Sequence, residues 1–507
     1  MKSSAHTRLQ HWPRYLVASV ALFAPILIYG QEPDQAGISS KVDELSAAIV
    51  KAQLQIDESQ RQLQQMREQL NALEKQLGTK PAQTDATSTS DRTLPAELEE
   101  VKEQQAIENS QLATLAQEKV ESDSKYPIKL NGLVLFTGFS NSTRTDNPVT
   151  PTSALFGRGS AGATFRQSIL GVDARGPRLF GAESRADMRV DFDGEPASSS
   201  SNAYSNAYGS SSTLLRLRTA HAALDWKNTS IFFSLDRPIL SPDTPSSLTA
   251  VAEPALAWSG NLWNWNPQFG IEHYIATPSR GGLLLQAALI DPADAPQTRD
   301  YGSKSTSAPV SGAELRMRPG GEFRLAWTGI QRNNGPHGGV GLYVSPHTSI
   351  SAINFNAWAT TADLNFSLGS HFEFSGSGYR GQALGGLGGG AYKDYVTGTL
   401  PNGKIYFQAL DDLGGWAQLK QKLNERLQFN EAFGMDQIFA RQLRTFVGSG
   451  TQGYLNFARN RTWSGNAIYS PSAYLLFSFE YRRIETAPVA GHLWTSNIYG
   501  VAAGYRF

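Results

Sequence analysis

The residues whose types and spacing could do chemistry are charges set two apart. Arg185, Asp187, Arg189, Asp191 and Asp193 alternate with Ala186, Met188, Val190 and Phe192, and Arg216 and Arg218 flank Leu217 in the next segment of this kind. Successive side chains of an extended chain point to opposite faces, so each segment carries one charged and one apolar face. A guanidinium stays protonated and grips a carboxylate through two hydrogen bonds, so a ladder of arginines facing water would favour small carboxylates. If the interleaved acids pair with it, the same ladder is a wall that merely lines water. Both readings stay open on the sequence. Arg316 and Arg324 extend the basic surface from a hairpin farther along the chain.

No local pattern points to catalysis. The eight His are scattered singly, and the chain has no His-x-x-x-His pair, no Gly-x-Ser-x-Gly elbow and no phosphate-cradling glycine loop. Cysteine is absent, which excludes disulfides and thiolate metal sites. Lys plus Arg equals Asp plus Glu at 45 each, so net charge points to no nucleic-acid partner. The expectation is a protein that is no enzyme and uses no metal or cofactor.

Period-two elements must position these charges. Ile128, Leu130, Gly132, Val134 and Phe136 alternate with polar residues, as do Phe323, Leu325 and Trp327, and Leu475, Phe477, Phe479 and Tyr481. A soluble sandwich shares this alternation. The last eleven residues break the tie: Tyr499, Val501, Ala503, Tyr505 and Phe507 share one face, with Gly500, Gly504 and Arg506 between them. A strand of about ten residues with one lipid-facing side and a terminal Phe resembles the end of bacterial outer-membrane barrels. Lys2, Arg8 and Arg14 precede an apolar run from Tyr15 to Tyr29, which reads as a secretory signal peptide over residues 1–30.

Residues 31–78 carry a heptad pattern, with Val42, Ile49, Ile56, Leu63, Leu70 and Leu77 at one seam position and Ile38, Leu45, Ala52, Met66 and Leu73 at the other. That spacing predicts a coiled coil, which needs partner chains. Residues 79–93 read as a flexible linker and residues 94–125 as a second, weaker helix. Residues 126–507 then form the barrel. Seven short connections alternate with eight long ones, which predicts about sixteen strands with both ends on the periplasmic side. Short turns are expected near residues 176–181, 225–228, 278–281, 318–321, 368–371, 423–425 and 470–473. Long loops are expected between them, among them 141–164, 291–308 and 332–349. The fold class is thus mainly β: a transmembrane antiparallel β-barrel of about 16 strands preceded by an N-terminal α-helical coiled coil.

A barrel of this size leaves an aqueous channel unless something folds into it. The longest connection, residues 236–268, is rich in proline and holds Asp236, Glu253, Trp258, Trp263 and Trp265. It is expected to bend into the lumen as a constriction. The Gly-rich stretch 381–403 has the composition of a mobile surface loop, which makes it the weaker candidate for that role. Trp327, Trp358, Tyr481 and Tyr505 suit interfacial girdles.

The segments Asp225-Trp226-Lys227-Asn228-Thr229-Ser230, Gly260-Asn261-Leu262-Trp263-Asn264-Trp265-Asn266-Pro267-Gln268, Asn460-Arg461-Thr462 and Tyr469-Ser470-Pro471-Ser472, together with the coiled coil, resemble the DcaP-like trimeric outer-membrane porins over nearly the whole chain. The resemblance implies a homotrimer with its coiled coil in the periplasm, admitting small, often anionic, solutes. The expected partners are outer-membrane lipids, small hydrophilic solutes and two further copies of the chain, with a peptidoglycan contact left open. A second reading keeps the barrel as an anchor and the coiled coil as a tether to the cell wall.

Overall fold

In the computed structural model the described residues are 127–194, 214–277, 281–296, 310–329, 335–399, 402–447 and 453–507. The signal peptide, the coiled-coil seam, the linker, the second helix and the loop at 195–213 lie outside them.

The chain runs β1 (Ile128–Thr145), β2 (Ala154–Thr164), β3 (Ile169–Leu179), β4 (Ala182–Gly194), β5 (Leu214–Asp225), β6 (Thr229–Asp236), β7 (Asn266–Thr277), β8 (Gly281–Ile290), a short helix α1 (Gly312–Arg316), β9 (Gly320–Thr328), β10 (His337–Thr348), β11 (Asn354–Leu368) and β12 (Phe372–Gln382). After a loop hairpin, β13 (Tyr395–Thr399) with β14 (Ile405–Ala409), come β15 (Asp411–Lys422), β16 (Leu427–Ile438), β17 (Phe457–Tyr469), β18 (Leu475–Pro488) and β19 (Trp494–Arg506). β2 and β3 share one stave: the former pairs with the upper part of β1 and the latter with its lower part. Each remaining barrel strand pairs antiparallel with its sequence neighbour, β12 with β15, and β19 returns to β1. The result is a closed antiparallel barrel of 16 staves.

Closure removes the free sheet edges that would leave backbone groups unpaired in hydrocarbon, at several kcal/mol each. Phe507 completes the seam. Its N–H donates to the Gly132 carbonyl at 3.1 Å, and Gly132 N donates back to Phe507 O at 3.0 Å. A Cβ on Gly132 would stand 2.6 Å from the Phe507 ring, so only glycine admits this contact.

The barrel is apolar outside and polar inside. On β18 Phe477 and Phe479 are exposed while Ser478, Glu480 and Arg482 are buried, and Tyr499, Val501 and Tyr505 of β19 likewise face out. Such an exterior is stable against lipid and costly against water.

Three expectations need correction. The first loop covers only residues 146–153, because β1 and β2 extend through most of 141–164. Residues 318–321 are no turn at the terminal end. Residues 318–319 close the long connection after β8 and Gly320 opens β9, while Arg316 lies in α1 and not on a wall strand. Residues 332–349 are mostly strand β10 and no long loop. The strand count survives because two staves were merely shifted along the chain. The cause is glycine: Gly339 and Gly341 read as loop residues, yet they sit in β10 because a Cβ there would meet the Arg324 guanidinium at 2.9 Å and Leu240 at 2.7 Å.

Candidate functional site

Residues 237–265 leave β6 and return to β7, and on the way they meet most of the wall. The Ile239 amide donates to Glu322 on β9 at 2.7 Å, and Thr361 on β11 donates to the Leu240 carbonyl. The loop then crosses. Ser246 N donates to Gln418 Oε1 on β15 at 2.6 Å, Asn466 of β17 donates to Ser246 O at 2.8 Å, and Ser247 donates to Glu480 of β18. Val251 N and Ala252 N donate to Gln167, and Arg216 on β5 donates to the Ala252 carbonyl at 2.8 Å. On a second pass Ser259 bonds Thr462 at 2.9 Å and Asn460 donates to the Trp258 carbonyl.

Small wall residues make this approach feasible. A Cβ on Gly434 would lie 2.1 Å from the Ser259 carbonyl oxygen, and Gly260 (φ 96°) abuts the Gly415 carbonyl. The expected inward loop is therefore inside the barrel, with its backbone bonded to polar side chains of the wall.

Its candidate residues take different places. Trp258 and Trp263 are buried and packed edge to face, part of a cluster with Tyr392, Leu410, Ile438 and Phe457. Trp265 alone among the three meets the arginines, with the Arg216 guanidinium 5.3 Å and that of Arg218 4.9 Å from its ring centre. Asp236 ends β6 and accepts from the Arg237 amide. Glu253 lines a cavity of about 410 Å³ on the loop side, with Asp146, Asp193, Asp294, Arg216 and Tyr392 among its neighbours.

The arginine ladder is bound up in ion pairs. Arg185 donates to Asp225 at 2.5 Å and Arg189 to Asp173 at 2.5 Å. Asp187 lies 4.0 Å from Arg189 and 3.7 Å from His221. Arg216 holds Asp191 through two bonds, at 3.0 and 2.7 Å, and Arg218 stands 3.5 Å from the same carboxylate. Arg324 is buried, bonded twice to Asp363 and once to Gln286. The paired-wall alternative thus describes most of these residues. Arg218 is held more loosely: its Nη1, the atom 3.5 Å from Asp191, is buried with no hydrogen bond, as is Nη1 of Arg237.

Both line a cavity of about 460 Å³ beneath the loop, with Thr219, Thr244, Ser246, Ser247 and Trp265. Sequence reasoning missed Arg237, Asp173, Asp225 and Asp363. Asp225 and Arg237 follow directly from strand ends already recognised, whereas the other two are set by cross-strand register.

The Gly-rich stretch is not a surface loop over its first half. Ala383, Leu384, Leu387, Tyr392 and Lys393 are all buried. Tyr392 stacks on Trp258 at 4.5 Å, and Asn264 donates to the Gly386 carbonyl. Burial pulls the Lys393 ammonium down to about 7, against the nearby charges of Asp436 and Asp412, which hold it up.

No protein-family model matches the chain, and no curated protein sequence does. Among solved structures the chain is similar to the outer membrane channel DcaP of Acinetobacter baumannii, with TM-score 0.57 and 14% identity over 76% of this chain and 99% of that one. It matches more loosely the OmpF of Salmonella typhi in complex with daunomycin (TM-score 0.46, 10% identity, 76% of this chain and 99% of that one). An anion-selective porin from Comamonas acidovorans is looser again (0.43, 9%, 76% and 100%). The fold is that of a DcaP-like porin, as the sequence resemblance implied.

Proposed function

We propose that this chain, with the fold of a DcaP-like porin as premise, is a passive diffusion channel of the outer membrane for small hydrophilic solutes. The observation that carries the reading is the inside-out barrel, whose lumen is crossed by residues 237–265 and keeps cavities of about 410 and 460 Å³, lined by charged side chains, beside that loop. Diffusion down a gradient needs no cofactor; it needs a polar path and a constriction with fixed charge. The constriction in this reading is the 237–265 loop, which carries Arg237, facing Arg216 and Arg218.

A preference for small carboxylates belongs to Arg237 and to Arg218, whose contact with Asp191 at 3.5 Å is looser than the other pairs and offsets part of its pull on an anion. The rest of the ladder is held at 2.5 to 2.7 Å by Asp225, Asp173, Asp191 and Asp363 and offers less to a passing anion. A homotrimer registered by the 31–78 heptads completes the proposal. Planar-bilayer recording of the purified protein tests it. Unit steps closing in threes, with a reversal potential displaced toward the anion, support the reading. Folded, inserted protein that passes no current overturns it and leaves the anchor-and-tether role.

A further inference from the structure

Residues 383–394 take an unusual backbone path for a buried segment. Ala383, Gly388, Gly390, Ala391 and Tyr392 all have φ between 42° and 100°. A left-handed conformation is costly for a bulky side chain such as Tyr392, and it persists only where surroundings over-determine it. Here they do. Asp394 accepts from Gly385 N at 2.7 Å and from Ala295 N at 2.8 Å, Asp412 accepts from Gly390 N at 2.7 Å, and Asp436 accepts from Ala391 N at 2.6 Å. The Lys393 side chain is 0% exposed, and its ammonium donates to the carbonyls of Ala391, Tyr454 and Phe457 at 2.6 to 2.7 Å. Three donors meet three acceptors on two separate connections, so the lysine ties the segment to the loop that follows β16.

What this scaffold holds in place is Tyr392. Its hydroxyl bonds Thr152 in the first loop at 2.8 Å, one ring face lies on Trp258 and another on Tyr454 at 4.3 Å. Beside it, a Cβ at Gly388 would stand 2.7 Å from the Trp263 ring. The Tyr392 side chain thus joins its own connection to three others, and it and Gly388 both touch the loop that crosses the lumen, through Trp258 and Trp263.

We infer that residues 383–394 are a second constriction element, in which Tyr392 is a positioning residue for the 237–265 loop and Lys393 is its latch. The inference rests on the diffusion-channel reading and adds to it that the size limit is set by two loops together. Without the second, the Trp258–Trp263 tip loses the surface it packs on, and the loop-side cavity widens.

The test begins with limited trypsin digestion of the native protein in detergent. Lys404, exposed at the tip of the β13–β14 hairpin, should be cut while Lys393 is spared. Cutting at Lys393 in an intact barrel overturns the inference without any variant. Tyr392→Ala and Lys393→Met should raise unit conductance and admit larger polyethylene glycols, while Tyr392→Phe keeps the stack and leaves both unchanged. Folded Tyr392→Ala with parental conductance and polymer exclusion also overturns it. A native protein that conducts nothing removes the channel reading instead, so the two failures are distinct.

Discussion

Replacing Asp191 by Asn removes one charge from the most crowded point of the lumen wall. The carboxylate is 0% exposed and lies 2.7 Å from Arg216 and 3.5 Å from Arg218. Asn keeps the shape and one acceptor, so the barrel should still close. Breaking a fully buried pair costs about 3–5 kcal/mol. Because the Arg216 side chain keeps 26% of its surface exposed, the expected loss here is smaller, about 2 kcal/mol after solvent screening.

The electrical effect is the sharper readout. An anion about 4 Å from Arg218 gains roughly 4 kcal/mol at an effective dielectric of about 20, a gain that Asp191 now largely cancels. Cavity water and salt with a Debye length of about 10 Å at 0.1 M reduce the uncovered attraction to about 1 kcal/mol. That corresponds to roughly a fivefold rise in the anion-to-cation permeability ratio. The assay is the reversal potential in a salt gradient, with Asp187→Asn as a control nearer the terminal end. An unchanged potential in folded Asp191→Asn would refute the placement of the permeation path along Arg216 and Arg218.

Three further outcomes follow from single contacts. Gly434→Val brings a side chain to within 2.1 Å of the Ser259 carbonyl, short of an ordinary carbon–oxygen contact by about 1.2 Å; thermal denaturation should show a loss of about 1–3 kcal/mol, and bilayer recording a lower unit conductance as the loop is pushed toward the β4–β5 wall. Gly132→Val collides with the Phe507 ring and the Ile169 carbonyl, so the yield of heat-modifiable, closed barrel on denaturing gels should fall sharply. Lys393 binds its proton more weakly folded than unfolded, at about 7 against an ordinary 10.5. The unfolded chain therefore holds more protons between those values, and stability rises as pH climbs from 7 toward 10. Denaturant midpoints at pH 6, 8 and 9.5 should show this rise in the parent and lose it in Lys393→Met.

How much could be read beforehand depends on whether a feature is local or made by distant parts of the chain. Alternation such as Phe477, Ser478, Phe479, Glu480 is a property of one extended segment, so it announced β18, its charged face and the membrane-facing exterior directly. The same holds for the terminal strand ending on Phe507 and for the length and proline content of the connection that enters the lumen. Glycine was ambiguous because its lack of a side chain serves two opposite ends. In a surface loop it permits turning, whereas at Gly341, Gly388 and Gly434 it lets another loop approach closely, and only the partner across the barrel distinguishes them.

The sequence by itself pointed to the barrel through its terminal strand, to about sixteen staves through the number of its connections and to the charged faces through period two. Only the tertiary structure decided that Arg185, Arg189, Arg216 and Arg324 are held by Asp225, Asp173, Asp191 and Asp363 and that residues 383–394 are buried beside the crossing loop. Pairing and burial are set by cross-strand register and by loops meeting over a closed lumen, and neither distance is encoded in the spacing of residues along the chain.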